Sequence, residues 1–469
     1  MAYDFILKGG TVVDPLNGVC GRMDIAVEDG KVAAVGEDLG GSDKIISAEG
    51  RTVIPGGIDP HVHCDSLLGS HSGFYMIART GITTIVDFAG PTDDIMGALA
   101  SGLAYGLNVS GVNTVRTDPV EGADLSRGTV ERQLESSLKN GAIGLKLLGG
   151  HFPLTPEASR YAVDLANERK VMMAIHSGST RYRSNIEGMR ESVYDFADGR
   201  PIVLAHINAY CRGNVRPYLR ELEEAFTMLR ENPNVYSDSH VAVQNATYGR
   251  CFGQEVHDHI TQNCLKSFGY PVSRDGLEQA IADGTVKVAK SGEKETVLLE
   301  REEALAFYRE VGTDTMVSFP ANLSTTACCC LLEKRTPKEF LIHMAATDGG
   351  GIPRNDLLGR MMHFYRLGYL SVEDIVSKVC IMPAKIFGFK NKGHLGVGAD
   401  ADISVLDLER DKATMSFALG KMIMKDGECV GQGGCALVPE EAVNTMHALG
   451  CSYQVINVAK DSLLYQNHQ

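Results

Sequence analysis

The first 55 residues alternate short apolar, β-branched runs with turn residues: Phe5-Ile6-Leu7, Thr11-Val12-Val13, Ile25-Ala26-Val27, Val32-Ala33-Ala34-Val35 and Thr52-Val53-Ile54. Asp29-Gly30 between two of these runs is a strong hairpin signal. The pattern predicts a small sheet, too thin to be a stable domain alone. After Pro55 it changes to apolar runs separated by longer helical patterns, the signature of a parallel sheet with crossover helices. Strand candidates are Gly57–His63, Ile82–Phe88, Asn108–Asn113, Ala142–Leu148, Val171–His176, Ile202–His206, Val235–Asp238 and Met344–Asp348. Eight is the number that a closed α/β barrel requires.

The helical segments carry recognisable ends. Thr155-Pro156-Glu157 places an N-cap before a proline at the first helical position, ahead of an apolar face of Tyr161, Ala162, Leu165 and Ala166. Ser371-Val372-Glu373-Asp374 resembles a capping box, with Asp replacing the usual Glu or Gln. Residues from about 239 to 343 are too many for one crossover. They read as an insertion after strand seven, on the face where such barrels place their active site, and so as a candidate lid or substrate-recognition element. Beyond it, Ile403–Leu406 and Met422–Met424 return to short strands that could complete the N-terminal sheet. The tail beyond Gly431 holds a helical run, Pro439 to Leu449, which fits either a surface helix or a contact with a neighbouring subunit.

Composition narrows the class. The chain has 469 residues with 45 Lys+Arg against 59 Asp+Glu, a net charge of −14. That balance disfavours nucleic acid or an anionic membrane surface as partner, because both need clustered cations. No apolar run approaches the roughly 20 residues that span a bilayer. The start, Met1-Ala2-Tyr3-Asp4, lacks the basic stretch of a signal peptide, so a cytoplasmic location is expected. The 12 cysteines show no paired C-x-x-C spacing. They read as reduced packing residues, including the run Cys328-Cys329-Cys330.

Candidate chemistry begins at His61-Val62-His63. On a strand, residues i and i+2 share a face, so both imidazoles can reach one cation. His176 and His206 each close an apolar run at the end of a predicted strand, and Asp348 closes the last one before Gly349-Gly350-Gly351. In a closed barrel these ends converge on one rim, and four histidines with an aspartate there are hard to explain without a metal site. Lys146 lies inside the apolar strand Gly144–Leu148. A buried lysine tends to shed its proton, and a neutral amine can add CO2 to give a metal-bridging carbamate; an ion pair with a rim carboxylate is the alternative.

The segment Ile54-Pro55-Gly56-Gly57-Ile58-Asp59-Pro60-His61-Val62-His63 resembles the opening signature of the metal-dependent amidohydrolase superfamily. Met382-Pro383-Ala384-Lys385-Ile386-Phe387-Gly388, Lys392-Gly393-His394-Leu395 and Gly398-Ala399-Asp400-Ala401-Asp402 are similar to the C-terminal pattern of its hydantoinase/dihydropyrimidinase, dihydroorotase and N-acyl-D-amino-acid deacylase branches. The resemblance implies a (β/α)8 TIM barrel (56–389) with a composite β-sandwich domain from both chain ends (1–55 and 390–430), a C-terminal tail (431–469), and a homo-oligomer, dimer or tetramer. It implies two divalent metal ions, Zn2+ by analogy. His61 and His63 would hold the more buried ion, His176 and His206 the more exposed one, and carboxylated Lys146 would bridge them. Asp348 would be both a ligand and the general acid/base. A water held between two cations loses its proton near neutrality, and a carboxylate can carry that proton to the leaving nitrogen.

Departures from the branch patterns shape the substrate expectation. Cys64-Asp65 follows the His pair where dihydroorotases have an arginine, so dihydroorotate is disfavoured. Asp65 reads as a structural ion pair or a contact to a donor group. The short interval from His176 to His206 and the long one to Asp348 resemble D-aminoacylase and isoaspartyl dipeptidase, yet strand two lacks the cysteine of D-aminoacylases. The expected small-molecule substrate is a cyclic amide such as a hydantoin, dihydropyrimidine or lactam, cleaved at a non-peptide C–N bond. The alternative is an N-acyl-D-amino acid or isoaspartyl-dipeptide-like compound. His151, Tyr210, Arg212, His240 and Arg354 follow strand ends as candidate substrate contacts, the arginines through bidentate pairing with a carboxylate. Asp314 is a rival for the last ligand, without the following glycine run.

Overall fold

The computed structural model describes residues 3–66 and 70–466. Met1 and Ala2 of the start segment and the last three residues of the tail lie outside the described residues. The N-terminal runs form strands Phe5–Asp14, Val19–Glu28, Lys31–Gly36, Ile45–Ser47 and Thr52–Pro55. Asp29 and Gly30 join the second and third of these with positive φ of 49° and 73°, as a tight antiparallel turn requires. Thr52–Pro55 then pairs antiparallel with Ile403–Asp407, which carries strands Lys412–Ala418, Lys421–Lys425 and Glu428–Cys429. One nine-stranded sheet is thereby built from both ends of the chain. Its core includes Phe5, Val27, Val53, Leu395, Ile403 and Phe417, with the Phe5 and Phe417 rings stacked at 5.2 Å.

The eight predicted strand positions are all strands, paired in sequence. Gly57–His63 pairs with Ile82–Asp87, and that with Asn108–Gly111. Asn113–Thr114 continues to Gly144–Leu148, then Met172–His176, Ile202–Leu204, Val235–His240 and Met344–Ala346. Gly349–Gly350, just past Met344–Ala346, pairs with Val62–His63, and the strands are divided between two six-stranded sheets, one running from Met344–Ala346 to Asn113–Thr114 and the other holding Gly57–His63, Ile82–Asp87 and Asn108–Gly111. The C-terminal ends of these strands therefore share one rim. Helices Arg127–Lys139, Pro156–Glu168 and Tyr218–Glu231 bury apolar faces against the outside of the strands. The Thr155 side chain accepts from the Ala158 N–H ahead of Pro156, and Ser371 with Asp374 forms a complete capping box.

Between strands seven and eight the chain builds a lobe with its own core. Thr247–Tyr248, Met316–Ser318, Lys287–Ser291 and Thr296–Leu299 form an antiparallel sheet, flanked by helices His259–Ser267, Arg274–Ala282 and Arg301–Glu310. Val256, Leu265, Leu277, Ile281, Val288, Tyr308, Val317 and Phe319 fill it. Helix Ser324–Leu332 rejoins the main body, where Cys330 is buried beside Leu341 and Ile342. The lobe meets the rim from two sides: Thr296 Oγ1 lies 3.0 Å from Ser72 Oγ, and Arg183 Nη1 donates to Asn263 Oδ1 at 2.7 Å.

Beyond residue 431 the tail packs on its own chain. Ala436–Val438 pairs parallel with Val109 of strand three and with Tyr453–Val455, and Val438, Ala442 and Met446 are buried. A buried cluster ties these regions together. Lys392 Nζ donates to Asp400 Oδ2 (2.9 Å) and Asp402 Oδ2 (2.8 Å), Lys31 to Asp400 Oδ1 (2.5 Å), and Asn108 Nδ2 to Asp402 Oδ2 (2.8 Å). Burial works against the Lys392 charge, but Asp402 and Asp400 hold its pKa above the ordinary lysine value. All 12 cysteines are free thiols; Cys328 and Cys329 are half-buried and Cys330 is buried. Among the described residues no helix is long and apolar enough to cross a membrane.

Candidate metal centre

His61 and His63 stand on one face at the end of strand one, with ring centroids 5.3 Å apart. Asp348 follows strand eight, its N–H donating to the His61 carbonyl and its backbone at a φ of +49°. The next residues are glycines because the chain runs against strand one: a Cβ on Gly350 would sit 1.9 Å from the His63 carbonyl oxygen. Asp348 Oδ1 is thereby placed 3.4 Å from His61 Nε2 and 3.2 Å from His63 Nε2. One ligand atom from each of these three residues lies within 4.8 Å of the others.

Lys146 reaches the same point from strand four. Its side chain is fully buried, with Nζ 3.3 Å from His61 Nε2 and 4.5 Å from the Phe88 ring centroid. Burial lowers its pKa to about 8, the nearby Asp348, Asp238, Asp87 and Asp65 offsetting only part of the cost. His176 and His206 form the second half of the cluster, with His206 Nε2 3.1 Å from His176 Nδ1. The His206 ring stacks 5.3 Å from that of His61, which makes the two halves contiguous. Burial holds both imidazoles well below their ordinary pKa, in the neutral form that can donate a lone pair. Two neutral imidazole nitrogens facing each other, beside the rings of His61 and His63 and the Asp348 carboxylate, form a donor set suited to borderline divalent cations.

Asp348 is held in the charged state. Burial acts to raise its pKa, but Arg354, His63, His61 and His206 outweigh it and keep the carboxyl well below the usual range. His63 moves the other way: burial opposes its charge, while Asp348 and Asp65 raise it to about 9. Asp65 Oδ2 lies 3.7 Å from His63 Nδ1, which places this aspartate behind the imidazole as a structural partner.

The five candidate substrate contacts lie around the same rim. The His151 ring is 6.4 Å from that of His176. Tyr210 is buried, with its hydroxyl oxygen accepting from the Ser177 N–H at 2.9 Å, and acts as a wall beside His206. Arg212 donates through Nε to Asn322 Oδ1 at 2.8 Å, tying the rim to the end of the lobe. The His240 ring lies 5.8 Å from His206 and its Nδ1 3.3 Å from Asn208 Nδ2. Arg354 donates from Nη2 to Asp348 Oδ2 (2.7 Å) and from Nη1 to the Gln244 carbonyl (2.6 Å). Asp314 is mostly exposed, ion-paired with Arg250 on the lobe, and is no rival for Asp348.

Several buried aspartates behind these side chains were not among the candidate residues. Asp238 of strand seven lies 3.4 Å from His61 Nδ1 and accepts from the His206 N–H at 2.9 Å. Asp59 accepts from the Thr347 N–H and hydroxyl, and burial lifts its pKa to about 7. Asp87 accepts backbone N–H bonds from Cys64, Asp65, Ala89 and Gly90. Their signal was the one that singled out Lys146, an ionisable residue inside an apolar strand.

A rim of parallel strands thus presents histidines, a lysine and an aspartate at one point. The amidohydrolase family profile matches residues 332–432, a span that holds the C-terminal motifs. An N-acyl-D-glutamate deacylase of Alcaligenes xylosoxydans xylosoxydans is 23% identical over 481 residues, spanning 93% of this chain and 94% of the relative. An allantoinase of Escherichia coli O1:K1 is 40% identical over 92 residues, only 20% of that relative's length. Among solved structures, a D-aminoacylase with a binuclear metal centre aligns with a TM-score of 0.65 at 17% identity, over 92% of this chain and 99% of its own. A D-hydantoinase aligns at 0.61 and 16% identity, over 97% and 99%.

Proposed function

We propose that the chain is a metal-dependent hydrolase of a non-peptide amide C–N bond whose substrate carries a free carboxylate, as an N-acyl amino acid does. The parallel strands are read as a (β/α)8 barrel, 56–389, and the two-ended sheet as a composite domain beside it. His61, His63, Lys146, His176, His206 and Asp348 would hold two divalent ions, with zinc the cation of choice for this donor set. When bound, the ions supply Lewis acidity toward the scissile carbonyl and acidify water.

The residues of the chain do the rest. Lys146, with a pKa of about 8, has a far larger neutral fraction near neutrality than an ordinary lysine; its nitrogen can bond to the carbon of CO2, losing a proton to give the carbamate. Asp348 takes the proton of the attacking water and delivers it to the leaving nitrogen. Arg354, fixed by Asp348 and Gln244, and Arg212, fixed by Asn322, put two guanidiniums beside the reacting point. The two guanidiniums on one rim, Arg354 held by Asp348 and Arg212 by Asn322, are the observation that carries the carboxylate reading. The lobe forms the far wall, where Tyr248 packs with Ala89, Leu148 and Phe152.

A second reading, cleavage of a cyclic amide such as a hydantoin or dihydropyrimidine, draws on Lys146 itself, a bridging lysine being the hydantoinase-like feature, and on the absence of cysteine from strand two. The zinc-loaded protein, tested against N-acyl-D- and L-amino acids and against matched cyclic amides, separates the two. Amine release from the acyl series supports the proposal, and ring opening alone replaces it with the second reading.

A further inference from the structure

A cavity of about 350 Å³ opens between the chain segments that follow strands two and three and the flank of helix Arg127–Lys139, and none of the residues lining it is a candidate metal ligand or substrate contact. Its donors are held in place by their neighbours. Asn113 Oδ1 accepts from the Thr92 N–H (2.9 Å) and hydroxyl (2.5 Å), which fixes the amide and leaves Nδ2 without a partner among the described residues. Gln133 clasps the backbone of Arg116, accepting from its N–H through Oε1 and donating from Nε2 to its carbonyl, both at 2.9 Å. Arg132 donates from Nη2 to the neutral hydroxyl of Thr129 at 2.8 Å. Both arginines line the cavity, and among the described residues neither guanidinium forms an ion pair, in a chain whose net charge is −14. Fixed donors that lack an anionic partner are what a bound carboxylate satisfies.

Asp118 lines the same cavity. Its Oδ1 accepts from the Val120 and Glu121 N–H groups at 2.8 and 3.1 Å, which orients the carboxylate, while Oδ2 accepts from none of the described residues. Arg132 acts on it through space rather than through an ion pair. Two guanidiniums and one separate carboxylate give the walls both signs of charge. That disfavours a phosphate dianion and suits a small molecule that carries a carboxylate and an ammonium group together.

We propose that this cavity is a second binding site, for a free amino acid, with the ligand carboxylate on Arg116 and Arg132, the Asn113 amide as a further donor and the ligand ammonium on Asp118. The inference uses none of the residues of the metal centre and does not depend on the metal-dependent reading.

The test is calorimetric binding of glycine, L- and D-glutamate, acetate and inorganic phosphate to the full-length protein, in wild type, in the Arg116→Met, Arg132→Met double variant, in Asp118→Asn and in Arg354→Met. Arg116 and Arg132 are exposed, so the double variant should melt as wild type does. Its affinity for the amino acids should fall about tenfold or more, the equivalent of losing one hydrogen bond to a charged group. The binding it loses should persist in Arg354→Met, which separates this site from any carboxylate binding at the metal centre. Asp118→Asn should weaken the amino acids and leave acetate unchanged. Amino acids that do not bind wild type, or that bind the double variant as tightly, overturn the inference, as does phosphate bound more tightly than the amino acids. Each of these results leaves the metal content of the protein, and so the metal reading, to stand or fall separately.

Discussion

Arg354 and Asp348 form a buried ion pair in which Arg354 Nη2 donates to Asp348 Oδ2 at 2.7 Å, leaving Oδ1 to face His61 and His63. One oxygen of the proposed general base is committed to the protein and the other to the reacting point. Asp348→Asn keeps the shape but cannot take a proton. It should retain at least one bound cation while kcat falls by about 10²–10⁴, the range for loss of a general acid/base. Metal analysis with steady-state kinetics checks this.

Removing Arg354 should move the acidic limb of the pH–rate profile. Burial raises the Asp348 pKa and Arg354 is the largest influence lowering it, so Arg354→Met lets it rise. More of the carboxyl is then protonated at a given acidic pH, and the limb shifts to higher pH. KM for a carboxylate substrate should rise as well. An unchanged profile contradicts the role given to this pair.

Lys146→Ala should lose at least one cation and most activity, because the bridge is gone. A small carboxylic acid in the buffer should restore part of both by filling the space of the missing carbamate. Metal content measured with and without added propionate decides it, and full metal content without rescue removes Lys146 from the ligand set.

Tyr248 lies on the lobe and packs with Leu148 at the end of strand four. If the lobe walls the substrate space, Tyr248→Ala should raise KM on the order of tenfold, the equivalent of about 1–2 kcal/mol of lost apolar contact, with metal content unchanged.

Lys378 gives a stability prediction away from the site. Buried, with Nζ donating to the Ile342 carbonyl at 2.7 Å, it has its pKa lowered to about 7 by burial and by the neighbouring charge of Lys334. Between that value and the ordinary one of 10.5 the unfolded chain holds the extra proton, so this group makes stability rise with pH across the window and penalises the fold below about 7. The thermal midpoint of wild type should therefore climb more steeply from pH 7 to 9.5 than that of Lys378→Met.

Much of this was legible from the chain because its signals are local. The period-two and continuous apolar runs mark the parallel strands, Asp29-Gly30 is an obligate turn, and Thr155 and Ser371 cap helices through their own side chains. The histidines were visible because polar groups at the ends of apolar runs point to one rim. The aspartates behind them were harder to see: Asp238 touches His61 and His206, residues 177 and 32 positions away, and nothing in its neighbours announces that. Strand Ile45–Ser47 is three residues long and shows no alternation that marks it. The lobe's topology likewise depends on pairing across 70 residues, as between Thr247 and Val317. The pattern Gly398-Ala399-Asp400-Ala401-Asp402 was recognisable as a motif, but its work, tying Lys392, Lys31 and Asn108 into one buried cluster, emerges only from the fold.

Metal content per chain tests most directly whether His61, His63, Lys146, His176, His206 and Asp348 hold two divalent ions. Protein reconstituted with zinc in bicarbonate and dialysed free of excess should retain two equivalents, falling to one or none in the His176→Ala, His206→Ala double variant. Wild-type protein that retains no metal, or a double variant that still retains two equivalents, would contradict the account.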